Sequence, residues 1–450
     1  MDSIENSISA FAAQIFEEIG QQQPSAFNKD YWSGRIMQWS MNNPEFKVNM
    51  FRLVDVLPTL KSSYQIATHV NQYLGKVGAE MNWLFGWGLN MPPRSLRAKL
   101  AGTVVTRAVK ETAKQFIAGK TPKEALPVLR KLRSKNLAFT VDLLGEYSLS
   151  EPEATQYFER YSEAISVLGE KVPSWPESRQ LVPNHPCEAT PVNVSVKLSA
   201  LYSQCTILNF ERSVAILTER LSALARKAKQ HNTMLYVDAE DTATNPIIYA
   251  AFCKTFGSPE FADFPLPGIV LQAYTKEAES TLISLFEFSK RRGAPIAVRL
   301  VKGAYWDQET IAAKQNDWPS PLFAHKESSD ANYEHLTRLM LDNHDLVMPA
   351  FGSHNVRSLS HAVCYAEHLG LDPTKYELQM LFGMADPIAA AFVSNGCLVR
   401  LYVPLGEMIP GMGYLVRRLL ENTSNESFLR HTFYDSQQLT NLIKKPQMRD

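Results

Sequence analysis

The sequence predicts an α/β fold, a (β/α)8 barrel preceded by a helical N-terminal arm, and three observations carry that prediction. Eight short apolar or β-branched runs follow one another from residue 138 to residue 406. Amphipathic helical stretches separate them, which is the signature of parallel strands joined by crossover helices. Eight such repeats point to a closed barrel rather than an open sheet. The competing doubly wound fold lacks support, because no GxGxxG follows the first strand and the stretch FIAGKT has Lys114 where a phosphate loop needs its first glycine.

The runs are AFTVDLLGE (138–146), VNVSVKLSA (192–200), MLYVDAED (234–241), GIVLQAYT (268–275), PIAVRLVKGAYW (295–306), LVMPAFGSHN (346–355), YELQMLFGM (376–384) and LVRLYVPLG (398–406). Helical candidates between them include SVAILTERLSALARKAKQ, EAESTLISLFEFSKRRG, ANYEHLTRLMLDN and VRSLSHAVCYAEHLG. The region before the barrel reads as helical. A pattern over 96–119 stops at Gly119, and Thr121, Pro122 and Glu124 then supply a cap, a first-turn proline and a capping-box glutamate. The expected organisation is a helical arm and domain over 1–134, a barrel over 135–436 and a polar tail over 437–450, the tail being read as a loose end.

Composition narrows the function. Hydrophobic residues make up 45% and charged residues 20% of the 450, as in ordinary globular proteins. Lys+Arg and Asp+Glu balance at 46 each, so no polyanionic partner is indicated and nucleic-acid binding is not expected. Five scattered cysteines without a CxxC pair fit reduced thiols in a cytoplasm. The acidic, amphipathic start MDSIENSISAFAAQIFEEIG has no signal-peptide character. No apolar run reaches the ~18 residues of a membrane span. MNWLFGWGLNMPP (81–93) reads first as a packed loop and second as a peripheral membrane contact.

A barrel places its chemistry at the C-terminal ends of its strands. Those ends carry Asp142 and Glu146, Lys197, Asp238 and Glu240, Gln272 and Tyr274, Arg299 and Lys302, His354 and Asn355, Gln379, and Tyr402. RLVKGAYWD combines two cations, a glycine that allows close approach and two aromatics, which suits a planar, phosphate-bearing cofactor as well as it suits an aromatic plug. GSHN holds a histidine without a second ligand at metal spacing, so no metal site is expected. YLVRRLLEN reads as a helix with two adjacent arginines, Arg417 and Arg418. Such neighbours point about 100° apart and ordinarily face water.

RLVKGAYW, SVKLSAL, DAED, LQAY and YLVRRLLEN, in their chain positions, resemble the proline dehydrogenase family, and in particular the proline dehydrogenase half of the bifunctional proline-utilisation flavoproteins. The resemblance covers about 135–435, and FRLVDVLPTLKSSYQIATHV looks like the helical arm of the bifunctional members. It implies oxidation of L-proline to Δ1-pyrroline-5-carboxylate by hydride transfer to FAD, with a membrane quinone as electron acceptor. It implies that Arg417 and Arg418 bind the proline carboxylate, completed by Lys197, and that Tyr402 and Tyr414 pack against the ring. Asp238 and Arg299 would stand at the reacting atoms, where a carboxylate stabilises the developing iminium and a guanidinium favours charge on the reduced flavin. Ala239, Gln272, Val301, Lys302, Gly303, Ala304, Tyr305, Trp306, Ser353, His354, Asn355 and Leu381 would line FAD, with Ser353 standing where the family has a threonine. Glu421 would support the arginine pair, and Asp142 and Glu146 lie at the end of the first strand, where the family has a mobile active-site loop and Glu146 is expected to close on Arg417.

The bifunctional relatives continue into an aldehyde dehydrogenase domain. Two readings stay open, a piece of such a longer chain and a stand-alone enzyme with an inherited arm. Some relatives begin with a DNA-binding module, and no basic strand arm is visible in residues 1–45. The alternatives from other classes are a different flavin-dependent barrel such as a methylenetetrahydrofolate reductase-like enzyme, a non-catalytic binding barrel, and a cofactor-free phosphate-binding lyase.

Overall fold

Eight parallel strands close in chain order into one barrel, β1 (Leu137–Leu143), β2 (Val192–Val196), β3 (Thr233–Val237), β4 (Gly268–Gln272), β5 (Ile296–Val301), β6 (Val347–Gly352), β7 (Glu377–Leu381) and β8 (Val399–Leu405). The ring is sealed between first and last strand over seven residue pairs, from Leu137 opposite Val399 to Leu143 opposite Leu405. This computed structural model describes residues 2–21, 45, 49, 52–53, 56, 59–60, 62–74, 115–145, 147–176, 185–186, 190–384, 386–407 and 442–449. All eight expected strands are present, so the barrel is a finding.

Each strand is shorter than its sequence run, and the reason lies at the C-terminal ends. The run PIAVRLVKGAYW leaves the sheet after Val301, because Gly303 at φ +131 turns the chain outward, and Trp306 then opens a helix. The DAED end of the third run lies beyond Val237 as loop.

The helices are α1 (Asp2–Gln21), α2 (Ser63–Leu74), α3 (Pro122–Ser134), α4 (Glu151–Lys171), α5 (Phe210–Gln230), α6 (Asn245–Phe256), α7 (Ala278–Arg292), α8 (Trp306–Gln315), α9 (Lys326–Asp342), α10 (Val356–His368) and α11 (Asp386–Ser394). The start of α3 follows the expected chemistry. Thr121 accepts from the Glu124 N–H, Pro122 occupies the first turn, and Glu124 reaches back to the Lys120 N–H. Gly293, in the left-handed region, stops α7 as a C-cap glycine does.

Alternation sorts the strand residues. Phe139, Val141, Val194, Val196, Leu235, Val237, Ile269, Leu271, Val298, Leu300, Leu401 and Val403 join the core between sheet and helices. Met234, Tyr236, Val270, Ala297, Met348 and Ala350 form a separate apolar cluster inside the barrel. The rest of the interior is polar: Thr140, Asn193, Ser195, Glu377, Gln379 and Arg400, all buried.

The N-terminal helix is part of this body. Ala12, Ile15, Phe16 and Ile19 enter the main core, Phe11 stacks edge-on to Phe392, and Glu18 accepts from Asn395 and Ser394. The polar tail, expected loose, is tied down over 442–449. Arg357 on α10 donates to the Ile443 carbonyl at 2.9 Å and to Glu5 of α1 and Glu334 of α9. Arg449 reaches Ser328 and Glu327 on α9. No described helix is long and apolar enough to cross a membrane, and the four described cysteines are free. The stretch 81–93 and the helical pattern over 96–114 lie outside the described residues.

Candidate active site

The barrel mouth gathers side chains from five strands into one buried set. β1 contributes Asp142, β3 leads into Asp238, β5 contributes Arg299, β8 contributes Tyr402, and Lys197 follows β2 directly. Asp238 is the hub. Its Oδ1 accepts from Arg299 Nη1 at 2.8 Å, and its Oδ2 accepts from the Tyr402 hydroxyl at 2.6 Å. Lys197 Nζ lies 3.8 Å from Oδ2, donates to the Tyr402 oxygen at 3.3 Å and pairs closely with Asp142. Tyr402 thus accepts from a cation and donates to a carboxylate, which fixes its single proton.

Electrostatics follow from this packing. Burial alone would push Lys197 down, but Asp142, Tyr402 and Asp238 hold it well above the ordinary lysine value, so it carries its charge. Burial pushes the Asp142 carboxyl up to about 6, with Lys197 opposing. Burial, with both carboxylates, pushes the Tyr402 phenol up, and it stays protonated. Two cations face two carboxylates, so the described set is charge-balanced. An anionic substrate would need cations beyond it, and Arg417 and Arg418 fall outside the described residues, as do Tyr414, Glu421 and Glu146.

Arg299 is held between two phenol rings, 4.2 Å from the Tyr236 centroid and 5.3 Å from that of Tyr402. Tyr236 can lie there because Gly268 has no side chain; a Cβ at that position would stand 2.4 Å from its ring. Arg299 Nη1 also donates to Ser195 Oγ at 3.0 Å. Its Nε and Nη2 are buried and have no hydrogen-bond partner among the described residues. Leaving two guanidinium nitrogens unpaired in a buried site is costly, so they are placed to meet an electron-rich ligand.

The neighbouring rim suits a flat, phosphate-bearing group. Gly303 packs on the Tyr274 ring, and a Cβ there would lie 2.4 Å from it. Lys302 pairs with Asp330 at 2.6 Å; burial lowers its pKa while Asp330 opposes. His354 Nε2 accepts from the Leu381 N–H at 3.0 Å, so the neutral ring carries its proton on Nδ1. Ser353 Oγ accepts from the Asn355 N–H, and Asn355 caps α10 by accepting from the Ser358 N–H. Gln272 is held on both sides, accepting from Asn245 at 2.8 Å and donating to the Glu240 carbonyl at 3.0 Å. Ala239, Val301, Tyr305 and Leu381 are half-buried around the mouth, and Ala304 is exposed. Trp306 donates its indole N–H to the Phe323 carbonyl at 2.9 Å and opens α8.

Asp142 lies near the end of β1 and pairs there with Lys197, a partner that the sequence did not name. Ser195, Tyr236 and Asp330 were not foreseen. Ser195 and Tyr236 stand two residues before Lys197 and Asp238, so strand alternation could have found them. Asp330 comes from a helix distant in sequence and left no local signal. Among the described residues no His, Cys, Asp and Glu cluster could hold a metal.

The family model described as proline dehydrogenase matches residues 125–431, and one described as the proline utilization A N-terminal domain matches 5–116. The chain is 31% identical over 349 residues to the bifunctional protein PutA of Escherichia coli K12, covering 76% of this chain and 26% of that protein. It is 27% identical over 316 residues to proline dehydrogenase 2 of Bacillus subtilis 168, covering 70% of this chain and 88% of that one. Among solved structures it resembles proline utilization A from Bdellovibrio bacteriovorus, a protein inactivated there by N-propargylglycine. The TM-score is 0.88 at 41% identity, over 98% of this chain and 44% of that one. The chain therefore spans about a quarter of its bifunctional Escherichia coli relative and less than half of the Bdellovibrio protein. With a family model matched along most of its length and a barrel mouth built from the expected strand ends, the chain belongs to the proline dehydrogenase family.

Proposed function

We propose that this chain oxidises L-proline to Δ1-pyrroline-5-carboxylate in the first step of proline catabolism, with FAD as hydride acceptor and a membrane quinone as the next electron carrier. The observation that carries the reading is Arg299, a buried guanidinium with two unpartnered nitrogens, Nε and Nη2, in the mouth. FAD, when bound, supplies the two-electron acceptor that no side chain can supply.

The chain's own residues do the rest. Gly303, Lys302, His354, Ser353, Gln272 and Leu381 would hold the cofactor, with Ala239, Val301, Ala304, Tyr305, Trp306 and Asn355 bordering it. Arg299 directs donors towards it. Asp238, oriented by the Arg299 bond and the Tyr402 hydroxyl, stabilises positive charge as it develops on the substrate nitrogen. Tyr402 and Lys197 border the substrate, and Arg417 and Arg418 would supply the cations for its carboxylate, each charge-assisted bond being worth roughly 1.5–3 kcal/mol. Tyr414 would pack on the ring and Glu421 would support the pair. Contact of 81–93 with a membrane surface would bring the enzyme to its quinone.

The test is an anaerobic visible spectrum of the purified protein before and after L-proline. Flavin bands that bleach with L-proline but not D-proline are expected. Arg299→Met should slow that bleaching about 10²–10³-fold. Bands that persist would leave a flavin barrel with another substrate, and a protein that refuses FAD would overturn the reading.

A further inference from the structure

The loop between β1 and α4 carries contacts that the chemistry above does not use. Tyr147 lies at φ +51, a conformation that bulky side chains hold only under constraint. Three bonds supply the constraint. Its N–H donates to Ser199 Oγ at 3.1 Å, the next residue's hydroxyl donates to the Ala200 carbonyl, and its phenol donates to Asp241 Oδ2. Thr244 steadies the same carboxylate through its hydroxyl at 2.8 Å and its N–H at 2.9 Å. Ser199 is in turn bonded to Glu240 through N–H and hydroxyl.

Every anchor extends a strand that bears a residue of the site. The loop leaves β1 just after Asp142, Ser199 follows Lys197 by two residues, and Asp241 follows Asp238 by three. The phenol therefore ties the segment after the first strand to the segment after the third. Tyr147 is 38% exposed, so water can compete for this bond, and it can open in a way that core packing cannot.

We propose that Tyr147 is a positioning residue whose phenol latches the β1–α4 loop to Asp241 and so sets how long proline stays bound. This rests on the proline reading above. The latch slows substrate departure and leaves the hydride step alone, because neither Tyr147 nor Asp241 bonds to Arg299, Asp238 or Tyr402.

The experiment uses the full FAD-loaded chain, with stopped-flow anaerobic bleaching and amide hydrogen exchange of residues 144–150. Tyr147→Phe should keep the limiting bleaching rate within twofold, raise the half-saturating proline concentration about tenfold and speed loop exchange about tenfold. Asp241→Ala should match it, and the double variant should be no worse than either, since both remove one interaction. Asp241→Asn keeps an acceptor and should stay within threefold of the parent. Unchanged half-saturation and exchange in Tyr147→Phe would overturn the latch, as would single effects that add. A parent protein that does not bleach with proline overturns the proline reading itself, and the exchange data then still report whether the phenol holds the loop.

Discussion

The two halves of the barrel interior are built on opposite principles. Strands β3 to β6 fill their half with Met234, Tyr236, Val270, Ala297, Met348 and Ala350, an apolar cluster whose shape is set by packing. Strands β7, β8, β1 and β2 fill theirs with bonded polar groups. Arg400 donates to Glu377 at 2.9 Å and to the Phe139 carbonyl at 2.7 Å, and Thr140 donates to Asn193 at 2.7 Å. The difference shows where orientation has to be exact and where filling suffices. Asp142, Lys197 and Tyr402 rise from the bonded half, and each needs a fixed direction. Arg299 rises from the packed half and takes its direction from the phenol rings about it and from partners on β2 and the end of β3.

The comparison breaks most visibly at Glu377. Glu377→Ala would leave the Arg400 guanidinium buried without its carboxylate and should cost about 3–5 kcal/mol in a denaturant titration. Replacing both residues by leucine should recover most of that loss. A double variant as unstable as the single would show that the bonded half contributes more than mutual neutralisation. In the packed half, Val270→Ala removes only transfer and cavity terms and should cost about 2 kcal/mol, independently of pH.

Taken per pH unit, the smallest expected effect is a slope, and it comes from the outer wall. His361 is fully buried on α10, accepts from Arg338 at 3.1 Å and has its Nδ1 3.6 Å from Glu334. Burial, with Arg338, Arg357 and Lys445 adding to it, pulls the imidazole down to about 3. Its folded value lies below its unfolded one, so this contribution is whole above pH 6.5 and is lost as pH falls towards 3. Asp142 has the opposite sign: raised to about 6, its contribution is present at low pH and is lost as pH rises through that value. The stability difference between parent and His361→Gln should therefore shrink on acidification by roughly 1.4 kcal/mol per pH unit below pH 6. A constant difference would show that the histidine is not held neutral.

The strands were legible because each is a short apolar run closed by polar residues, and the barrel follows from counting them. Their ends were read too long for one physical reason. Site residues such as Asp238 and Lys197 directly follow strands and continue them in part, Lys197 with an extended backbone and Asp238 with its N–H still donated to the Val196 carbonyl. The site was legible where a strand end displays it, as at Asp238, Arg299 and Tyr402. It was hidden where a partner comes from elsewhere, as with Asp330 to Lys302. Asp142 was legible as a site residue but not as the partner of Lys197, because sequence does not show which neighbours a strand faces. The same holds for the tail over 442–449, whose polar composition says nothing of the carbonyl at Ile443 that Arg357 takes up.

That last contact changes the topology of the chain. All five N–H groups of Arg357 are used, on Glu5, Glu334 and the Ile443 carbonyl, so residues 5 and 443 meet at one side chain. The polypeptide is in effect a ring, closed non-covalently on the barrel's flank. Opening a ring at one end frees both, and the entropy returned grows only slowly with its circumference. The N-terminal helix and the C-terminal segment should consequently melt as a single event, though more than four hundred residues separate them in sequence.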